Sequence, residues 1–102
     1  MKILTTLTLR PTAGHVDDVI AYYRTSGVLE ASGAHASYVL VADDDPGTVV
    51  VTALWADSAA YTAWQNSTER RGYGEGMAHF FDSPDDASSR EFRIVHENGS
   101  VA

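Results

Sequence analysis

Residues Val49 to Ala56 run Val-Val-Val-Thr-Ala-Leu-Trp-Ala, with no charged side chain and no regular alternation of apolar with polar. Such a run reads as a strand covered on both faces. It leads straight into a helical segment started by Asp57 or Ser58 that carries Tyr61 and Trp64 on one side. A chain of 102 residues is too short to build both covers alone. The stretch therefore implies a sheet with one face against its own helices and the other against a second copy. It also implies an aromatic-lined space between sheet and helix.

Composition narrows the function classes. Zero cysteines exclude disulfides, iron–sulfur clusters, thiolate zinc sites and cysteine nucleophiles. A net charge of −7 with a single lysine argues against nucleic acid and anionic membranes, which need a basic face. No apolar run approaches the roughly 20 residues that cross a bilayer. The start, Met1-Lys2-Ile3-Leu4-Thr5-Thr6, lacks the apolar core of a signal peptide and suits a first strand, so a cytoplasmic protein is the expectation. Asp43-Asp44-Asp45 lacks the spacing and terminal Glu of a calcium loop and reads as a turn; no metal site is expected.

The chain reads as one domain with its core over about residues 3–97. Ile3 to Arg10 alternates apolar residues with Thr, as a strand does. From His15 to about Ala31, Val16, Val19, Ile20, Tyr23 and Gly27 recur at helical spacing, with Asp17 and Asp18 in the first turn and Gly33 as a C-terminal cap. His35–Ala42 and Thr48–Ala56 form a hairpin through Asp43–Gly47. A helix over Asp57–Ser67 follows, then a second over Glu69–Phe81, made irregular by Gly72, Gly74 and Gly76. Asp82–Ser89 reads as a solvated loop and Arg90–Glu97 as the last strand, through Phe92, Ile94 and His96. Asn98-Gly99-Ser100 begins a loose tail.

That order, βαββαβ, predicts an α+β ferredoxin-like fold: an antiparallel four-stranded sheet with helices on one face. On the third strand Val49, Val51, Ala53 and Trp55 point one way, and Val50, Thr52 and Leu54 the other. Leaving either set in water costs about 5 kcal/mol in total, comparable to the stability of a small domain. A homodimer packed sheet to sheet removes that cost.

The segment Leu54-Trp55-Ala56-Asp57-Ser58-Ala59-Ala60-Tyr61-Thr62-Ala63-Trp64, within the whole pattern, resembles the third-strand-to-helix region of the antibiotic biosynthesis monooxygenases. The resemblance implies a dimeric α+β barrel and either of two activities: cofactor-free oxygenation of polyketide quinol or anthrone rings, or haem degradation. Trp64 matches a helix tryptophan that faces the ligand cavity in both branches. Leu7 stands where the haem branch has an asparagine, and Tyr73 and Gly74 lie near its iron-binding histidine, with His79 further along. Ala60 stands where the quinol branch often has an asparagine.

Oxygenation without a cofactor needs an electron-rich ring, an apolar cavity, a route for a proton and a stabiliser of negative charge. Trp64 is the expected ring-positioning residue. Tyr23, Tyr38, Tyr61 and Leu7 are expected to bind substrate, His79 or Tyr73 to act on the proton, and Arg70 or Arg71 to steady the anion. Each has an ordinary structural role as well. Trp64, Tyr61 and Tyr23 suit core packing, Trp55 suits a purely structural place, and the arginines beside Glu69 suit a solvated face. His15, His35 and His96 read as surface or strand positions. The expected activity is a monooxygenase acting on an aromatic small molecule with O₂ and no cofactor. The alternatives are haem binding through His79, or non-redox cyclisation or binding of a polyketide.

Overall fold

The computed structural model describes residues 1–99; the Ser100 part of the expected tail lies outside the described residues. Four strands, β1 (Ile3–Leu9), β2 (Ala36–Ala42), β3 (Asp45–Trp55) and β4 (Ala87–Arg93), form one antiparallel sheet in the order β2-β3-β1-β4. The helices are α1 (Val16–Ser26), α2 (Val28–Ala31), α3 (Ser58–Gln65) and α4 (Thr68–Met77), with short 3₁₀ turns at Ala78–Phe80 and Pro84–Asp86. This is the expected ferredoxin-like α+β arrangement.

Several boundaries move for identifiable reasons. The single helix expected over 15–31 is two, because Gly27 adopts φ 79°, a left-handed conformation that ends α1 and turns the chain into α2. The β2–β3 turn is only Asp43-Asp44, with a register shift after Val41 that brings Ala42 opposite Asp45. The last strand begins earlier than expected, at Ala87. A capping box between Ser83 and Asp86 starts the 3₁₀ turn, and pairing with β1 then runs from Leu9–Ala87 to Ile3–Arg93. Its Ser88 and Ser89 are polar because β4 is an exposed edge strand, which hid it among loop residues.

The start of α3 follows its sequence signal, whereas Ser67, expected as the end of that helix, is the cap of the next one because α3 stops at Gln65. Asp57 caps α3 by accepting from the Ala60 N–H at 2.8 Å, and Ser67 caps α4 by accepting from the Arg70 N–H at 3.1 Å.

One sheet face packs on the helices. Leu9, Val49 and Val51 meet Val19, Tyr23 and Val28, while Ile3, Ala53 and Trp55 meet Tyr61. Trp64 touches both clusters. Register places Leu4, Thr6, Thr8, Val50, Thr52 and Leu54 on the other face, flanked by Tyr38, Leu40 and Phe92. No helix among the described residues covers that side: Tyr38 is 59% exposed, Leu40 46% and Phe92 37%. Arg90 lies 4.8 Å above the Phe92 ring on the same face.

Candidate active site

Small side chains on the helix-facing side of the sheet leave a hollow. Thr5, Ser37, Ala53, Ala87 and Ser89 supply little volume there and line the space between the sheet and the helices. The space holds about 570 Å³, within the range of small-molecule sites. Leu7, Leu9, Val51 and Trp55 complete the floor. Tyr22 and Tyr23 of α1, Leu29 of α2, and Tyr61 and Trp64 of α3 form the walls.

The α4 helix forms the remaining wall. Arg70, Tyr73, Gly74 and Met77 line the space, followed by Ala78 and Phe81. Their spacing of three and four residues is one helical face. Asp82, Ser83 and Pro84 border the hollow beyond that helix.

Six of the nine residues singled out in the sequence line this hollow: Leu7, Tyr23, Tyr61, Trp64, Arg70 and Tyr73. Tyr38 does not. Strand alternation turns Ser37 toward the hollow and Tyr38 toward the uncovered face, opposite Thr52. His79 does not line it either. It falls out of phase with the lining face of α4, in the 3₁₀ turn after Met77, and is exposed with its ring centroid 4.0 Å from that of Phe80. Arg71, one residue from Arg70, is likewise exposed and outside the lining. His15 pairs through Nδ1 with Asp18 Oδ2 at 2.9 Å, while His35 and His96 are exposed.

The aromatic walls are braced from behind. The Trp55 indole N–H donates to Thr5 Oγ1 at 2.9 Å, and its ring lies 5.4 Å from Tyr61. The Gln65 amide donates to the Tyr61 hydroxyl at 2.9 Å. Trp64 and Tyr73 face each other across the α3–α4 corner, centroids 6.3 Å apart and tilted by 41°. Tyr22 donates to the Tyr73 carbonyl at 3.2 Å and ties α1 to α4.

Thr5 was the missed contributor. In an Ile-Leu-Thr-Thr-Leu-Thr-Leu strand it reads as one of several polar outward positions, yet it is 5% exposed and serves the tryptophan. Its place beside Ile3 and Leu9 in the period-two pattern was the available signal.

Tyr23 is the perturbed titrating group of the site. Burial pushes its phenol up to about 12; the Arg70 guanidinium pulls the other way, and Tyr22 adds to the rise. It remains a neutral hydrogen-bond donor at any physiological pH. No hydrogen bond to its hydroxyl is found among the described residues, and no carboxylate there lies within 4.0 Å of Arg70. The described residues hold no cluster of His, Asp and Glu suited to a metal ion.

Comparison with known proteins places this architecture. The model of a family described as antibiotic biosynthesis monooxygenase matches residues 3–75. The chain belongs to the antibiotic biosynthesis monooxygenase family. Among solved structures, Rv0793 from Mycobacterium tuberculosis superposes with a TM-score of 0.78 at 11% identity, covering 97% of this chain and 100% of that one. SnoaB from Streptomyces nogalater, a cofactor-independent oxygenase solved as an N63A mutant, gives 0.73 at 11% identity over 94% and 95%. A Chloroflexus aurantiacus J-10-fl protein assigned by name to the same family gives 0.74 at 18% identity over 97% and 98%. At these identities the likeness is one of fold. No curated protein matches the chain. No helix among the described residues is long and apolar enough to cross a membrane.

Proposed function

We propose that this family member is a homodimeric monooxygenase that oxidises a fused-ring phenol or quinol with O₂ and without a cofactor. The observation that carries the reading is the hollow itself: small-molecule sized, walled by Trp64, Tyr61 and Tyr73, and floored by small side chains. An anthrone-type CH₂ that enolises and ionises passes one electron to O₂, and the resulting radicals combine to a hydroperoxide. Loss of water then leaves a carbonyl. One oxygen atom stays in the product, and the other leaves as water with both hydrogens of the CH₂. Trp64 and Tyr73 position the ring, apolar walls keep water from the radical pair, and Arg70 steadies the negative charge.

The uncovered sheet face supports the second copy. Tyr38, Leu40 and Phe92, with the half-buried Val50, form an apolar surface that a twofold partner would bury.

A haem reading meets a poor fit. No histidine is among the residues lining the hollow, and His79, the candidate iron ligand, stacks on Phe80 outside it.

The test is O₂ uptake with an anthrone or hydroquinone, comparing wild type with Trp64→Phe. Uptake above the uncatalysed rate that falls about tenfold in the variant supports the reading. Uptake no faster than the uncatalysed rate across a range of such rings overturns it, and binding of those rings without turnover would favour non-redox cyclisation or binding.

A further inference from the structure

The hollow pairs an unusual shortage with an unusual surplus. The shortage is of bases. Its lining includes no histidine, Tyr23 holds its proton to about 12, and the carboxylate among its lining residues, Asp82, is exposed where the walls end. The surplus is of donors. Arg70, half-buried on α4, has no carboxylate partner among the described residues, and the buried Tyr23 phenol on α1 has no acceptor there. Both side chains line the same hollow. A half-buried cation and a phenol hydroxyl, neither with a protein partner among the described residues, are satisfied by an acceptor that the ligand brings.

We infer that the hollow selects a fused-ring ligand already ionised at a ring oxygen or carboxylate, held by the Arg70 guanidinium and the Tyr23 hydroxyl together. This deepens the proposed function, because a substrate that enters ionised at the ring oxygen needs no general base from the protein before it meets O₂, whereas a carboxylate would only orient a ring that still has to lose its proton. Tyr23 then acts as a neutral donor to the oxyanion, which orients the ring and leaves Trp64 to stack on it. Both roles use groups without other work in the fold. Ser67 caps α4 through the backbone N–H of residue 70, so the Arg70 side chain is free of it.

The experiment is a binding titration under nitrogen, read by tryptophan fluorescence, which separates it from any failure of turnover with O₂. Three ligands of similar size are compared at neutral pH: naphthol (neutral), hydroxynaphthoate (a carboxylate) and hydroxynaphthoquinone (an enolate). Wild type should bind at least one of the two anions tenfold or more tightly than naphthol, and which anion wins names the oxygen it recognises. Arg70→Gln should bring that ratio to within about twofold. Tyr23→Phe, an isosteric change that removes no hydrogen bond within the protein, should weaken the favoured anion severalfold. Naphthol binding as tightly as both anions, or a preference that survives Arg70→Gln, overturns the inference. A Tyr23→Phe variant with unaltered affinity overturns the part assigned to the phenol.

Discussion

The α4 wall gives a sharp test of the packing account, because its three glycines occupy different surroundings. A Cβ added at Gly76 would overlap the Tyr22 hydroxyl oxygen and sit 3.1 Å from Cζ and 3.3 Å from Cε2 of that ring; at Gly72 and Gly74 it would meet nothing within 4 Å. Gly72→Ala should therefore gain only helix propensity, about 0.8–1.0 kcal/mol. Gly76→Ala gains the same but must push Tyr22 aside. That breaks its 3.2 Å bond to the Tyr73 carbonyl, worth about 0.5–1.5 kcal/mol. It also disturbs the edge contact with Phe80, centroids 6.5 Å apart, worth a further 0.5–1.5 kcal/mol or so. The net loss is about 1 kcal/mol. Thermal melting should show Gly72→Ala rising by about 4 °C and Gly76→Ala falling by about the same amount. In a Tyr22→Ala background the obstruction is gone and Gly76→Ala should stabilise, a non-additivity that a double-mutant cycle measures. A Gly76→Ala protein that melts as high as Gly72→Ala would refute the assignment of Tyr22 as the strut between α1 and α4.

Three other perturbations follow from single observations. The folded Tyr23 phenol keeps its proton to about 12, whereas an unfolded tyrosine releases it near 10. Between those values the native state binds more protons, so stability falls as pH rises, by about 1 kcal/mol per pH unit. Denaturant midpoints across that window should decline in wild type, and the decline should flatten in Tyr23→Phe. Trp55→Phe removes the indole donor to Thr5 at a site only 2% exposed, and should cost about 2 kcal/mol in urea denaturation. Leu40→Asp lies on the uncovered sheet face, already 46% exposed, so it should leave the fold intact while shifting sedimentation from dimer to monomer. Sedimentation as a monomer in wild type would remove the second copy from the account.

The sheet and the helices were legible because their signals are local: Val49–Trp55 could not be a surface element, and Asp57 stands where a helix cap belongs. The fold followed from element order. The site was legible only in part. Trp64, Tyr61 and Tyr23 lie on apolar stripes whose inner side the sequence marks, and Arg70 and Tyr73 fell on the same face of α4. Tyr38 was misplaced because its strand, Ala-Ser-Tyr-Val-Leu-Val-Ala, is apolar on both faces, so alternation alone did not say which set faces the helices. The pairing of Tyr38 with Thr52 decides it. His79 was misplaced because the chain tightens into a 3₁₀ turn after Met77, and such turns leave little trace in composition. The aromatic side of the hollow was expected from Tyr61 and Trp64, but its floor left no signature. It arises from small residues brought together from four separate strands, at Thr5, Ser37, Ala53 and Ser89, and that coincidence exists only once the strands pair.

Isotope-labelled protein titrated with a fused-ring phenol, with amide and aromatic resonances followed by NMR, locates a bound ring directly. If the space under the helices is the ligand site, shifts concentrate at Trp64, Tyr73, Met77 and Ser89, and saturate at one ring per chain. Shifts gathered instead at Tyr38, Leu40 and Phe92, or none at all, would contradict it.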